Sequence, residues 1–180
     1  MENVRIMNIK MNYKFCPYCK GGLIKNNFVY KCSECGKEIF INPAPCVSVI
    51  PIKDNKILLS IRGIEPKKGT YDFVGGFVNV GETIGECGIR ETEEETGLKI
   101  KLDKFLGECN ETYIPGVTYP LTFNYTAKII GGVLKANDDV AELVWIDIND
   151  IESLDLTKSF KSIKIVLDRL LTTLGRGAGN

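Results

Sequence analysis

The stretch Gly75-Gly76-Phe77-Val78-Asn79-Val80-Gly81-Glu82-Thr83-Ile84-Gly85-Glu86-Cys87-Gly88-Ile89-Arg90-Glu91-Thr92-Glu93-Glu94-Glu95-Thr96-Gly97-Leu98 decides how the rest of the chain is read. On a helix that begins near Glu82, Glu91 and Glu95 stand four residues apart and Glu91 and Glu94 three, so three carboxylates are expected on one face. From Glu82 to Glu95 six glutamates face the single Arg90, a spacing that destabilises an isolated helix unless a cation is near. Hard divalent ions take oxygen ligands from one or two carboxylates and leave positions open for water and substrate phosphate. Gly75-Gly76 and Gly81 bracket a loop between the apolar run Tyr71-Asp72-Phe73-Val74 and the helix. Gly97 fits a helix stop, and Leu98, Ile100 and Leu102 alternate beyond it as a strand does.

Outward from this segment, 180 residues with 44% hydrophobic and 26% charged residues are enough to bury a full core and carry a small appended module. The formal net charge is zero, and the lack of a basic excess argues against a nucleic-acid partner. There is no apolar run of the roughly 20 residues that span a bilayer, so no membrane partner is expected. The opening Met1-Glu2-Asn3-Val4-Arg5 lacks a secretory pattern, which makes the cytoplasm the expected compartment. Met1, Met7 and Met11 leave the start of translation open, as the composition leaves a homodimer open.

The chain has no histidine, which excludes Ser-His-Asp and Cys-His catalysis and His-ligated metal sites. Proton transfer falls to carboxylates, Lys, Tyr or metal-bound water. Of seven cysteines, Cys16-Pro17-Tyr18-Cys19 and Cys32-Ser33-Glu34-Cys35 form two C-x-x-C pairs twelve residues apart. Two such knuckles complete a closed tetrahedral zinc site, structural because it has no open position. Two disulfides or a redox pair are disfavoured in a reducing compartment with no strand-helix pattern around either pair. Cys46, Cys87 and Cys109 read as small buried apolar residues.

The expected order is a polar leader over 1–14, a zinc ribbon over 15–41 with Phe28-Val29-Tyr30 as a strand, a larger domain over 42–174 that holds the acidic helix and a disordered tail over 175–180. Strands are expected over 46–52 and 56–61, joined by the turn Lys53-Asp54-Asn55, and again over 99–106, 121–128 and 143–146. Phe160, Ile163, Val166, Leu170 and Leu174 recur at three- and four-residue steps and predict a terminal helix over 157–174.

The opening segment resembles the Nudix box: Gly76, five residues, Glu82, seven residues, Arg90-Glu91, an aliphatic position held here by Thr92, Glu94-Glu95, Gly97 and aliphatic Leu98. The resemblance implies an α/β fold, a Nudix-type α/β/α sandwich with a mixed sheet, here preceded by the small zinc ribbon. With the ribbon, the chain is similar to the branch containing NADH pyrophosphatases and ADP-ribose pyrophosphatase-like enzymes. It departs from the Ser-Gln-Pro-Trp-Pro-Phe-Pro-like motif of the former, having Ile114-Pro115-Gly116-Val117-Thr118-Tyr119-Pro120 in that region. The implied activity is divalent-metal-dependent cleavage of a nucleoside diphosphate linked to another moiety, ADP-ribose or NAD(H), releasing AMP. The alternative is a ribbon protein that acts on or binds capped RNA. By the same resemblance Glu91, Glu94, Glu95 and the Gly75 carbonyl hold Mg²⁺ or Mn²⁺, Arg90 orients a box glutamate and Glu82 supports the site. The general base is left among Glu91, Glu95 and Glu142. Arg62, Phe73 and Tyr119 are candidate contacts for a small-molecule nucleotide, and Lys67-Lys68, Tyr113 and Phe123 are weaker ones.

Overall fold

A computed structural model describes residues 13–115 and 117–176, and the chain divides into two compact units. The first holds the described residues up to Pro43 together with Thr112–Tyr119; the second holds Ala44–Glu111 and everything from Pro120 onward. Thr112–Tyr119 thus group with the ribbon segment.

In the first unit, β1 (Leu23–Asn26), β2 (Val29–Cys32) and β3 (Glu38–Phe40) form an antiparallel sheet in that order. The single expected strand at 28–30 is its middle member. Asn27 turns the chain at φ 52°, in the left-handed region that asparagine tolerates, so β1 and β2 pair across two residues. Of the expected leader, residues 1–12 lie outside the described residues, while Tyr13 packs edge-on against Tyr30 with ring centroids 5.4 Å apart.

The second unit is built on a seven-stranded mixed sheet. Its strands are β4 (Ala44–Lys53), β5 (Lys56–Arg62), β6 (Tyr71–Asp72), β7 (Val74–Phe77), β8 (Leu98–Asn110), β9 (Pro120–Gly132) and β10 (Val140–Asp147). The main path runs β10-β5-β4-β9-β8, with β4 and β9 parallel and the other pairs antiparallel. Asp54 and Asn55 both adopt positive φ, 49° and 61°, the two-residue turn whose twist suits a tight hairpin. Beyond that hairpin β4 and β5 pair only at Ile52–Ile57 and Lys53–Lys56 and then splay, admitting β6 alongside β5 and β7 alongside β4. The run expected as one strand at 71–74 is thus two short strands, and the glycine pair lies inside the sheet. β8 outruns its expected end at Leu106 by four residues because register shifts near Phe105 and Gly107 let it bend with β9, which hides the alternation.

Helix α1 (Ile84–Thr96) packs on one face of this sheet, where Val47, Val49, Leu58, Leu98, Ile100, Ala127 and Cys87 form a buried cluster. The residues that alternate with these, Ile50, Ile57 and Leu59, are equally buried and point the other way, and helix α2 (Lys161–Thr173), with its buried stripe of Ile163, Val166, Leu167, Leu170 and Leu171, packs against β8. A mixed sheet between helices is the expected fold class.

Three boundaries move for local reasons. Thr83, not Glu82, caps α1: its hydroxyl accepts the Glu86 amide at 3.2 Å while the Glu86 carboxylate accepts the Thr83 amide at 2.8 Å. The terminal helix starts at Lys161 because Asp155 accepts from the Thr157 amide and hydroxyl at 3.1 and 2.6 Å, holding that segment in a turn. Between β10 and that turn lies a 3-10 helix, Ile148–Ser153, for which the sequence shows no period. Of the expected disordered tail, Arg176 is held, donating to Asn149 at 2.8 Å and Asn55 at 3.0 Å, and residues 177–180 lie outside the described residues.

The capping box orders the turn that presents Glu82, so Thr83→Ala is expected to lower unfolding free energy by about 1 kcal/mol, read as a lower urea midpoint at unchanged slope. An unchanged midpoint would show that tertiary contacts alone set the helix start.

Candidate active site

The splayed sheet presents the edge of β7 to the middle of α1. Gly75 has φ 143°, and a Cβ there would stand 2.1 Å from the Val47 carbonyl oxygen, so no other residue fits without moving β4. A Cβ on Gly76 would stand 2.5 Å from the Glu91 carboxylate carbon. The bare backbone lets the helix close on the strand. The Gly75 amide then donates to Glu95 Oε2 at 2.9 Å.

Around that clasp the acidic residues take different roles. Arg90 donates to both carboxylate oxygens of Glu82, at 2.7 and 2.9 Å, to Glu91 at 2.8 Å and to Glu94 at 2.9 Å. It also donates to the Phe77 carbonyl at 3.3 Å. Glu82 accepts the Asn79 amide at 3.0 Å as well, and with Arg90 as the main cause its carboxyl is held down to about 2. Glu91 is pushed above the ordinary carboxylate range by burial, with Arg90 opposing. Glu95 is buried, and loss of water raises its pKa to about 8 against the Gly75 hydrogen bond, with Glu91, Asp72 and Asp138 adding repulsion. Glu94 is half exposed.

The three glutamates share a helix face, yet their oxygens are drawn to different donors, Glu95 to the Gly75 amide and Glu91 and Glu94 to Arg90. They do not gather as tightly as the cysteines do. Among the described residues, the donor atoms that all lie within 4.8 Å of one another are those of Cys16, Cys19, Cys32 and Cys35. The Cys16–Cys35 and Cys19–Cys32 sulfurs are 3.7 and 3.4 Å apart, near the roughly 3.8 Å edge of a tetrahedron with Zn–S bonds of about 2.3 Å. Disulfides, with sulfurs about 2 Å apart, are not formed. The Gly21 and Cys35 amides donate to Cys19 and Cys32 sulfurs at 3.4 Å each, and the Cys35 amide leads in holding the Cys32 thiol down to about 6. The donor set fits a structural zinc ion.

The remaining candidates divide. Arg62 is an ion-pair partner of Asp72 at 2.5 Å and donates to the Pro66 carbonyl at 2.7 Å. The Phe73 ring is buried and has no open face for a base to stack on. Tyr113 and Tyr119 belong to the first unit. Phe123 stacks on Phe105, 6.5 Å between centroids, and Phe105 is half exposed. Lys67 holds a left-handed backbone at φ 68° with its ammonium 6.0 Å from the Phe160 ring centre. Glu142 follows a register shift in β10 and is exposed.

Four contributors are not marked by any motif in the sequence. Asp72 from β6 and Asp138 from a turn carry repulsion to Glu95, a proximity that only folding creates; Asn137 donates its amide to the Glu95 carbonyl at 3.0 Å and so docks the 137–139 turn. Cys87 is wholly buried and touches Arg90. Burial pushes its thiol up to about 12, so the sulfur keeps its proton.

Comparison with known proteins agrees with this geometry. The family model of the NUDIX domain matches residues 42–168. The chain is 38% identical over 130 residues to the ADP-ribose pyrophosphatase of Methanocaldococcus jannaschii, spanning 72% of this chain and 75% of that protein. It is 29% identical over 147 residues to the NAD-capped RNA hydrolase NudC of Vibrio atlanticus, covering 80% of this chain and 53% of the relative, so it spans about half the length of that protein. A NUDIX hydrolase from Nitrosomonas europaea shares the fold with a TM-score of 0.74 at 21% identity, covering 93% of this chain and 97% of that one.

Glu95 yields a test in metal-free protein. Its folded pKa of about 8 exceeds its ordinary 4.5, so the stability it contributes is fully present below pH 4.5 and is lost as pH rises through 8. Wild type should lose melting temperature over that window relative to Glu95→Gln, and divalent metal should reverse the loss; parallel profiles for the two proteins would show that Glu95 titrates normally. For the knuckles, Cys32→Ser is expected to reduce zinc from one ion per chain to near none by elemental analysis. Retention of a full equivalent would remove Cys32 from the ligand set.

Proposed function

This chain belongs to the Nudix family, and from that premise we propose that it hydrolyses the diphosphate of ADP-ribose, giving AMP and ribose 5-phosphate, with NAD(H) as a related substrate. The chain is a Nudix hydrolase, and such enzymes use divalent metals on nucleotide-derived substrates. The observation that carries the finer reading is the clasp of Gly75 and Gly76 onto Glu95 and Glu91, occurring in a chain 38% identical to an ADP-ribose pyrophosphatase.

In this reading Glu91, Glu94, Glu95 and the Gly75 carbonyl hold Mg²⁺ or Mn²⁺, and Cys16, Cys19, Cys32 and Cys35 hold Zn²⁺. The divalent ion, when bound, neutralises charge on the diphosphate oxygens and activates water. Arg90 fixes the orientation of Glu91 and Glu94, and Glu82 fixes Arg90 in turn through two charge-assisted hydrogen bonds. The attacking water passes its proton to a carboxylate, Glu91 or Glu95 from the helix, or Glu142 from the strand that follows the docked 137–139 turn. A substrate with two ends supplies binding energy on both sides of the diphosphate, which serves to position it for attack. The thiolate zinc site fits a reducing compartment such as the cytoplasm.

A second reading, NAD-capped RNA, is favoured by the similarity to the NudC of Vibrio atlanticus and by exposed Phe15, Tyr18 and Phe40 on the ribbon, with Lys37 4.1 Å over the Tyr18 ring.

Metal dependence tests the mechanism common to both readings, and a substrate panel decides between them. Glu94→Gln is expected to lower kcat on ADP-ribose about 100-fold or more with an unchanged circular dichroism spectrum, and excess EDTA to abolish turnover of the wild type. Full activity in EDTA would remove the metal mechanism. In a side-by-side panel, ADP-ribose or NADH should give a higher kcat/KM than any nucleoside triphosphate; a triphosphate in first place would overturn the substrate, and NAD-capped RNA in first place would establish the second reading.

A further inference from the structure

Cys87 lies in α1 with no exposed surface, and one flank of it belongs to the core beside Val47, Val49 and Leu58. Its other flank is polar. The sulfur stands 3.4 Å from the Phe77 carbonyl oxygen and 3.8 Å from that of Gly76, while Arg90 Nη2 stands 3.4 Å from the sulfur. An alanine or valine methyl would satisfy the core flank. Neither could make the polar contacts, because those need a group that donates one proton and accepts another.

A thiol does both. Its proton faces the Gly76 and Phe77 carbonyls of β7, and its lone pair receives an Arg90 N–H. Cys87 thereby joins two parts of the site that approach from different elements: the end of β7, which carries the Gly75 carbonyl one residue upstream of Gly76, and the guanidinium that holds Glu82, Glu91 and Glu94. Arg90 keeps its carboxylates and the Phe77 carbonyl without the sulfur, so loss of the thiol would loosen β7 against the helix more than it would free Arg90.

We propose that Cys87 is a positioning residue for the divalent-metal site, setting the distance between the Gly75–Phe77 backbone and the Arg90-held carboxylates. The proposal rests on the reading that the Gly75 carbonyl and the box glutamates share that ion. Cys87 itself touches neither metal nor substrate. Its loss acts through the ligands, as loss of an outer hydrogen-bond partner does in metal sites generally.

The test is direct titration of Mn²⁺ into the full-length chain without substrate, with free Mn²⁺ read by electron paramagnetic resonance, for wild type, Cys87→Ala, Cys87→Val and Cys87→Ser. Alanine and valine are expected to weaken Mn²⁺ binding about 5- to 10-fold. Serine, which keeps a donor and an acceptor on a shorter C–O bond, should bind between wild type and alanine. Wild-type affinity in both alanine and valine, or serine no better than alanine, would overturn the proposal. If alanine fails to melt cooperatively, valine, which fills the core flank, decides against serine. Wild type that binds no Mn²⁺ at all would overturn the proposal together with the metal reading. ADP-ribose left intact by an Mn²⁺-loaded wild type would strike only the substrate, and the affinity order among the variants would still support the role of Cys87.

Discussion

The hydrogen bond from the Gly75 amide to Glu95 ties a strand inside the sheet to the last turn of the helix packed on it, and the rest of the site is arranged around that contact. It requires a backbone with no side chain at Gly75, where a Cβ would collide with the Val47 carbonyl, and a Cβ at Gly76 would displace the Glu91 carboxylate. It also requires β4 and β5 to separate beyond their hairpin so that β7 can enter. A carboxylate drawn this far from water is costly, and the cost appears as a pKa raised to about 8.

The charge balance points the same way. Glu93, Glu94 and Glu95 crowd the C-terminal end of α1, where the helix dipole favours cations and the last turn carries no basic residue. The capping box at Thr83 and Glu86 stabilises the opposite end. Arg90 answers part of the excess by engaging Glu82, Glu91 and Glu94 at once, and Arg62 is already committed to Asp72. Glu95 is left with an amide as its partner and with Asp72 and Asp138 as like-charged neighbours. Local rules broken together at one place are the mark of a functional site. A cation bound there would relieve the repulsion that the fold imposes.

The ribbon works by other means. Its sheet is only three short strands, too little to hold a fold by burial alone, and the four sulfurs within 4.8 Å of one another could hold an ion that would supply what the small core lacks. Amide donors from Gly21 and Cys35 to the sulfurs show the backbone already shaped to thiolates.

By itself the sequence determined the kinds of chemistry present and the elements that carry them. Fixed spacings of Glu, Arg and Gly from Gly76 to Leu98 named the helix, its stop and its acidic face, and two C-x-x-C pairs named the knuckles, because both motifs lie on short continuous segments whose geometry is local. Periodicity located the long strands and the terminal helix but not their ends, which were decided by an Asp155 turn, by bulges in β8 and by the Thr83 cap. Only the tertiary structure decided which carboxylate is buried, that Arg62 is bound to Asp72, that Phe73 belongs to the core, that Asp138 reaches Glu95 and that Cys87 lies between Arg90 and the end of β7. Those facts depend on contacts between residues far apart in the chain, and a residue's charge state and partners follow from desolvation and neighbours that exist once the sheet has closed.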